Sequence, residues 1–188
     1  MVLKTSKLAS MRIKHSGIFS LEGLFHVMRD WIVHQGYQFE EHSVKHRLPS
    51  PAGAEQEYQW HGWKKMNEYM MYTFDAFIHV YNLQEIEMIK ENGEKIITNQ
   101  AAIDIWITPV LKFDYAGRFS SHPFMKGLQN WLHQYVWQAR EIDRQWSDEL
   151  YFRLLKLHHI IKDYLELETK TNAYENYMSK SKGLSATV

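Results

Sequence analysis

Cysteine is missing from all 188 residues, which removes disulfides, zinc–cysteine centres and thiol nucleophiles in one step. Net charge is missing too, with 22 Lys and Arg set against 22 Asp and Glu. A nucleic-acid binder needs a basic stripe to neutralise phosphates, and none is visible. No apolar run approaches the ~20 residues of a membrane helix. Met1 to Ser10 carries charge but no apolar core of a signal peptide, so the expected location is cytoplasmic. There is no H-E-x-x-H, no Walker lysine loop, no G-x-G-x-x-G and no G-x-S-x-G. Those absences count against the common metal, nucleotide and esterase chemistries. They leave open a site assembled from distant residues. No catalytic residue, metal or cofactor is therefore assigned.

What the chain has in quantity is aromatic surface: 7 Trp, 11 Tyr and 9 Phe. Such side chains bury large areas in cores and at protein interfaces. The 11 His make the chain increasingly cationic below neutrality.

The pattern predicts an α+β domain: an antiparallel β-meander with one long hairpin, packed against an N-terminal helix and two C-terminal helices. Ser20 is a good N-cap and Glu22 suits the first turn. Leu21, Leu24, Phe25, Met28, Trp31 and Ile32 recur at helical spacing, and Gly36 supplies the stop, giving a helix over 20–35. Met11 to Lys14 reads as a short edge strand. Tyr37 to Leu48 and Glu55 to Lys65 read as strands joined by a loop at Pro49, Pro51 and Gly53. Ser121 and Pro123 open a helix with an apolar stripe from Phe124 to Val136. Ser147, followed by Asp148 and Glu149, reads as a fresh N-cap dividing that helix from a last one. The last helix carries the stripe Leu150, Leu154, Leu157, Ile161, Tyr164 and Leu165. One domain over 1–169 is expected, with a polar, disordered tail over 170–188.

Glu91-Asn92-Gly93-Glu94 is the strongest hairpin signal, because Asn-Gly suits a two-residue type I′ turn. That turn sets Glu91 opposite Glu94. Carried along the arms, it pairs Val80 with Ile105, Ile78 with Ile107, Phe74 with Leu111 and Tyr72 with Phe113 on one apolar face. The other face pairs Asp75 with Val110, Phe77 with Thr108, His79 with Trp106 and Tyr81 with Asp104. Straight arms over 69–90 and 95–115 would span roughly 70 Å each at ~3.3 Å per residue. A globule of this length has a radius of gyration near ~16 Å. Either the ribbon bends near Asn82 and Gln100 or its tip projects, and the polar tip favours projection.

Three groups attract functional readings. His42 and His46 have helical metal spacing, but on a strand they stand roughly 13 Å apart, too far for one ion. His158 and His159 are neighbours on a helix and diverge by about 100°, so they share no metal. His158 is expected at the border of the buried stripe and His159 in solvent. The mixed face of the hairpin gathers Asp75, Phe77, His79, Tyr81, Asp104 and Trp106, with Asp104 diagonal to His79. A carboxylate–imidazole pair there suits acid–base work, and an aromatic, polar sheet face suits an interface or ligand surface.

The leading functional expectation is an assembly protein that binds protein, itself included, through the hairpin and the C-terminal helix. Its proposed interface is Ile86, Met88, Ile89, Ile96 and Ile97 at the hairpin tip. A small apolar-ligand binder, with a curved sheet gripping a helix, comes second. An enzyme using the Asp–His face comes third. No nucleic-acid or membrane partner is indicated.

Overall fold

The computed structural model describes residues 5–50, 53–89, 95–117, 119, 123–132 and 142–170. They form β1 (Thr5–Lys7), β2 (Met11–Phe19), α1 (Leu21–His34), β3 (Gln38–Ser50), β4 (Gly53–Lys65), β5 (Met70–Ile89), β6 (Lys95–Phe113), α2 (Pro123–Leu132) and α3 (Ile142–Lys170). All strands join one antiparallel sheet in the order β1-β6-β5-β4-β3, with β2 also lying on β6. The class is mixed α+β with a hairpin meander, as the periodicity predicts. The sheet is larger than the four clear strands of the sequence, because β1 and the full length of β2 continue it past β6.

Local chemistry sets the boundaries. Ser20 Oγ accepts from the Gly23 backbone N–H at 3.1 Å and opens α1, while Gly36, at φ 73°, turns the chain out of it. Asn67 Oδ1 accepts from the backbone N–H groups of Tyr69 and Met70, at 2.9 and 2.7 Å, and fixes the turn between β4 and β5.

Ser147 does not divide two helices. It lies within α3, which runs unbroken from Ile142. Trp146 packs near Phe113, with ring centroids 6.4 Å apart, so this first part of α3 is anchored by tertiary contact rather than interrupted by a cap. Residues 171–188, where the tail is expected, lie outside the described residues.

One face of the sheet is covered by α1 and α3. Tyr72, Phe74, Ala76, Ile78 and Val80 of β5 are buried there, as are Ile103, Ile105, Ile107 and Leu111 of β6. The α3 stripe from Leu150 to Leu165 is buried against them together with Leu24, Met28 and Ile32 of α1. Fully burying each such side chain is worth ~1.5–3 kcal/mol. Two hydrogen bonds fix how α3 lies. The Tyr72 hydroxyl donates to Glu149 Oε2 at 2.9 Å, and the Tyr164 hydroxyl donates to the Ser20 carbonyl at 3.2 Å. Gly62 makes room for a neighbour, since a Cβ there would lie 2.2 Å from the Phe74 ring.

The hairpin register differs from the two-residue-turn prediction. Near the tip, Met88 faces Ile96 and Ile86 faces Thr98, one residue off the predicted pairing. In the body, Val80 faces Ile103, Ile78 faces Ile105 and Tyr72 faces Leu111, two residues off. The first step is already present at the last described pair, Ile89↔Lys95; residues 90–94 lie outside the described residues. The second arises between Tyr81 and Gln84, where β5 carries one residue more than β6. A shift of two restores each side chain to its face. That is why the apolar set of the body is still the buried one.

The extra residue is Asn82, at φ 52°. This left-handed region is one that asparagine tolerates better than most side chains. β4 registers the same irregularity, passing from Ala54↔Leu83 to Gln56↔Val80. Gly53 crosses the bulge so closely that a Cβ would lie 2.6 Å from the Asn82 carbonyl carbon. The sequence allows a bend near Asn82 and Gln100 as the alternative to a projecting tip; what the structure has at Asn82 is a bulge in a central strand.

The seam between β2 and α3 holds two histidines. His15 follows Met11 and Ile13 on the helix-facing side of β2, and its Nε2 is buried without a hydrogen-bond partner. His158 of α3 has a buried Nδ1 in the same condition and hydrogen-bonds the Arg12 backbone. As the helical spacing predicts, His158 borders the core while His159 is exposed. Burial lowers both His15 and His158 below the ordinary 6.5. Glu166 acts in the opposite sense on His15; the Arg12 hydrogen bond does so on His158, where His159 and Lys162 reinforce the lowering. The unfolded chain therefore takes up these protons at a higher pH than the folded one. Stability is complete above about 6.5 and falls as the pH drops from there to the lower folded values. Urea unfolding between about pH 7 and pH 5 is expected to show this loss. The double replacement His15→Leu, His158→Leu is expected to flatten the slope; an unchanged slope would contradict the assignment.

Candidate functional site

The candidate site is the outer face of the same sheet, where successive side chains of β5 point away from the helices. Alternation along β4 sends Glu55, Glu57, His61 and Trp63 to this face, beside Asp75, Phe77, His79 and Tyr81 of β5. Across the ladder lie Trp106 and Asp104 of β6, then Arg12 of β2. All six residues singled out in the hairpin therefore share one surface, as alternation requires.

Their pairing is not the predicted one. His79 faces Asp104 directly, and Phe77 faces Trp106, whereas the two-residue turn would set His79 opposite Trp106 and Tyr81 opposite Asp104. Direct opposition still does not make an Asp–His pair. The Arg12 guanidinium takes Asp104 in a two-point grip, Nε to Oδ1 at 2.9 Å and Nη2 to Oδ2 at 2.5 Å. The hydrogen-bonded guanidinium holds the Asp104 carboxyl below its ordinary 3.8. The same guanidinium stacks over Trp106, 4.1 Å from the ring centroid, an attraction between cation and ring quadrupole.

His79 turns the other way. Its Nε2 lies 2.6 Å from Glu55 Oε1 and 3.8 Å from Glu57 Oε1, and its ring lies 3.8 Å from the Tyr81 ring. A second imidazole–carboxylate pair stands two rows away, past Gln59 and Phe77, His61 Nδ1 to Asp75 Oδ1 at 2.6 Å. His42 and Trp63 flank His61 on either side, with centroids at 5.5 and 5.9 Å. His42 sits at a β3 irregularity and stacks on His61, while the His46 side chain lies outside the described residues. Among the described residues, no group of three or more His, Asp or Glu is placed to hold a metal ion.

Sequence reasoning missed Arg12, Glu55, Glu57 and His61. The alternation Glu55, Glu57, Gln59, His61, Trp63 is a readable signal for the β4 members. Arg12 gives none, because only the sheet order places β2 beside Asp104. Chemically, the face offers two imidazoles each hydrogen-bonded to a carboxylate, and one guanidinium held by Asp104 and Trp106. These groups satisfy one another across neighbouring strands, as cross-strand pairs do.

The interface residues at the tip separate. β6 keeps regular alternation, so Ile97 shares the helix-facing side with Asn99, Ala101 and Ile103. The extra residue in β5 puts Ile86 and Met88 on the outer side. They do not continue the body's apolar face together with Ile97, as an unbulged ribbon would have it. Ile97 is 74% exposed and Met88 37% exposed, and Ile86 is half-buried. The side chains of Ile89 and Ile96 lie outside the described residues.

No family model matches this chain, and no curated protein matches it either. Among the described residues, no helix is long and apolar enough to cross a membrane.

Replacing Arg12 by Gln is expected to release Asp104. Its carboxyl should then titrate upward toward its ordinary 3.8 in a carboxyl-carbon NMR titration. A carboxyl that stays at its wild-type position would show that Arg12 is not its determinant.

Proposed function

We propose that this protein works by binding protein, with the hairpin tip as its main contact element. One observation carries the reading. The β5–β6 ribbon runs past both of its neighbours and exposes Ile97 and Met88 there. Pairing of β4 with β5 ends at Ala54↔Leu83, and pairing of β2 with β6 ends at Phe19↔Asn99. Beyond both of those points, among the described residues, four β5–β6 pairs continue, from Ile86↔Thr98 to Ile89↔Lys95. A two-stranded ribbon alone is marginal in water. A partner surface supplies what it lacks.

A second exposed apolar group supports the same class of function. Phe124, Leu128 and Trp131 recur every three to four residues along one side of α2, and Phe124 is 80% exposed. The buried Gln129 donates to the Tyr69 hydroxyl at 3.0 Å and holds the opposite side of that helix to the body. The C-terminal helix contributes less than its stripe suggests. Leu150 to Leu165 are buried within the chain, leaving Phe152 as its exposed large apolar residue. The same burial bears on the apolar-ligand reading, since α1 and α3 side chains fill the inner face that a ligand would occupy.

The double replacement Met88→Ser, Ile97→Ser tests the tip. The melting temperature is expected to stay within about 2 °C of wild type, because neither side chain belongs to the buried core. Association measured by sedimentation should be lost. A variant that unfolds, or one that associates like wild type, would remove the tip from the function.

A further inference from the structure

On the helix-facing side of the sheet, Tyr58 and Trp60 of β4 lie beside Phe39 and Glu41 of β3, which pair with Gly62 and Trp60. This corner is on the β3 side of α1, whereas α3 packs over β2 and β6 at the other side of the sheet. Two residues of α1 reach over it. The Phe25 ring stands 4.8 Å from the Tyr58 ring and 5.2 Å from the Trp60 ring, and the Arg29 guanidinium lies 5.4 Å from the Trp60 centroid. Phe39 completes the group, 5.6 Å from Trp60. Phe25, Phe39 and Tyr58 are each half-buried, so the group meets solvent between α1 and β3.

At its centre Trp60 is 1% exposed, and its Nε1–H is buried without a hydrogen-bond partner among the described residues. A buried indole N–H ordinarily finds an acceptor, and leaving one unpaired is costly. The groups that pack on this indole supply none. Phe25 and Phe39 carry no polar side-chain atom, and Arg29 carries only donors. Glu41, opposite Trp60 on the ladder, turns its Oε2 to Arg29 Nη2 at 3.6 Å instead.

We propose that this aromatic corner binds a small, neutral, aromatic molecule bearing one carbonyl-type acceptor, which takes the Trp60 Nε1–H. Each part of that description answers one feature of the corner. The rings select a flat apolar body. The unpaired donor selects the acceptor. The Arg29–Glu41 ion pair leaves the rim without net charge, so the ligand carries none. The Nε1–H is covered, and the half-buried Phe25 ring turns aside to admit the ligand. This site is separate from the hairpin tip. It also lies beside the part of the inner face that α1 and α3 side chains fill, so that filling does not close it.

Three naphthalenes of similar size separate these features: 2-acetonaphthone has a carbonyl acceptor, 2-ethylnaphthalene has none, and 2-naphthoate has a charge. Each is titrated into the full chain and followed by the tryptophan indole signals in a proton–nitrogen NMR spectrum, with Trp60 assigned through its NOEs to Phe25. One net hydrogen bond makes 2-acetonaphthone bind about fivefold tighter than 2-ethylnaphthalene. It is also expected to bind tighter than 2-naphthoate and to move the Trp60 indole proton downfield. Trp60→Phe keeps an aromatic ring and removes the donor, so it should bind 2-ethylnaphthalene like wild type and lose the preference for the ketone. Equal affinities in wild type, a preference that survives in Trp60→Phe, or no binding by any of the three overturns the site. So does an unmoved Trp60 signal, which is read in wild type and needs no variant. Tighter binding of 2-naphthoate overturns the neutral class of ligand.

Discussion

The single extra residue in the middle of β5 is the constraint on which the two ends of this molecule depend. Below Asn82 the ribbon is the centre of a sheet, paired on both sides and covered by helices on one face. Above it β4 pairs only as far as Leu83 and β2 only as far as Asn99, and among the described residues the two strands then run on paired with each other alone. A bulge adds local twist and re-aims the side chains that follow. Here it exchanges the faces of β5 while β6 continues in phase, so Leu83 rather than Asn82 takes the helix-facing position opposite Ala54. Gly53 is part of the same device. Its lack of a side chain lets β4 begin directly against the bulged backbone.

The body supports this arrangement with redundancy. Apolar stripes from β5, β6, α1 and α3 meet in one core, and tyrosine hydroxyls tie α3 to the sheet and to the start of α1. The outer face has a different economy. Its charged and aromatic groups are matched in pairs between strands, Arg12 with Asp104 of a strand 92 residues on and Glu55 with His79 of the next strand. Exposed apolar side chains are found at the tip and along α2, and singly elsewhere, as at Val33 and Phe152.

Much of the fold is legible in the sequence, for physical reasons that can be named. The helix over 20–35 has a cap, a stripe and a stop, and all three act within a few residues. The hairpin is legible because two long alternating segments flank a turn signal. Its register is not, because turn length and bulges are decided by neighbours that the local sequence does not contain. Asn82 is a hint, since asparagine accepts positive φ, but Gly53 has to be placed beside it before the bulge becomes compulsory. Ser147 misleads for the opposite reason. A residue with capping chemistry sits mid-helix where the Trp146–Phe113 contact holds the preceding turn in place. At the candidate site, alternation identifies the six hairpin residues as one face. It cannot show that Asp104 is already bound, because Arg12 lies 92 residues away.

The central claim is that one bulged residue divides the ribbon into a core-forming half and a contact-forming half. Cross-strand backbone NOEs in solution test it most directly. The account predicts contacts for Ile78 with Ile105 and Val80 with Ile103 below the bulge, and for Ile86 with Thr98 and Met88 with Ile96 above it. Contacts of Val80 with Ile105 and Met88 with Ile97 would mean a regular, unbulged ribbon and would contradict the account.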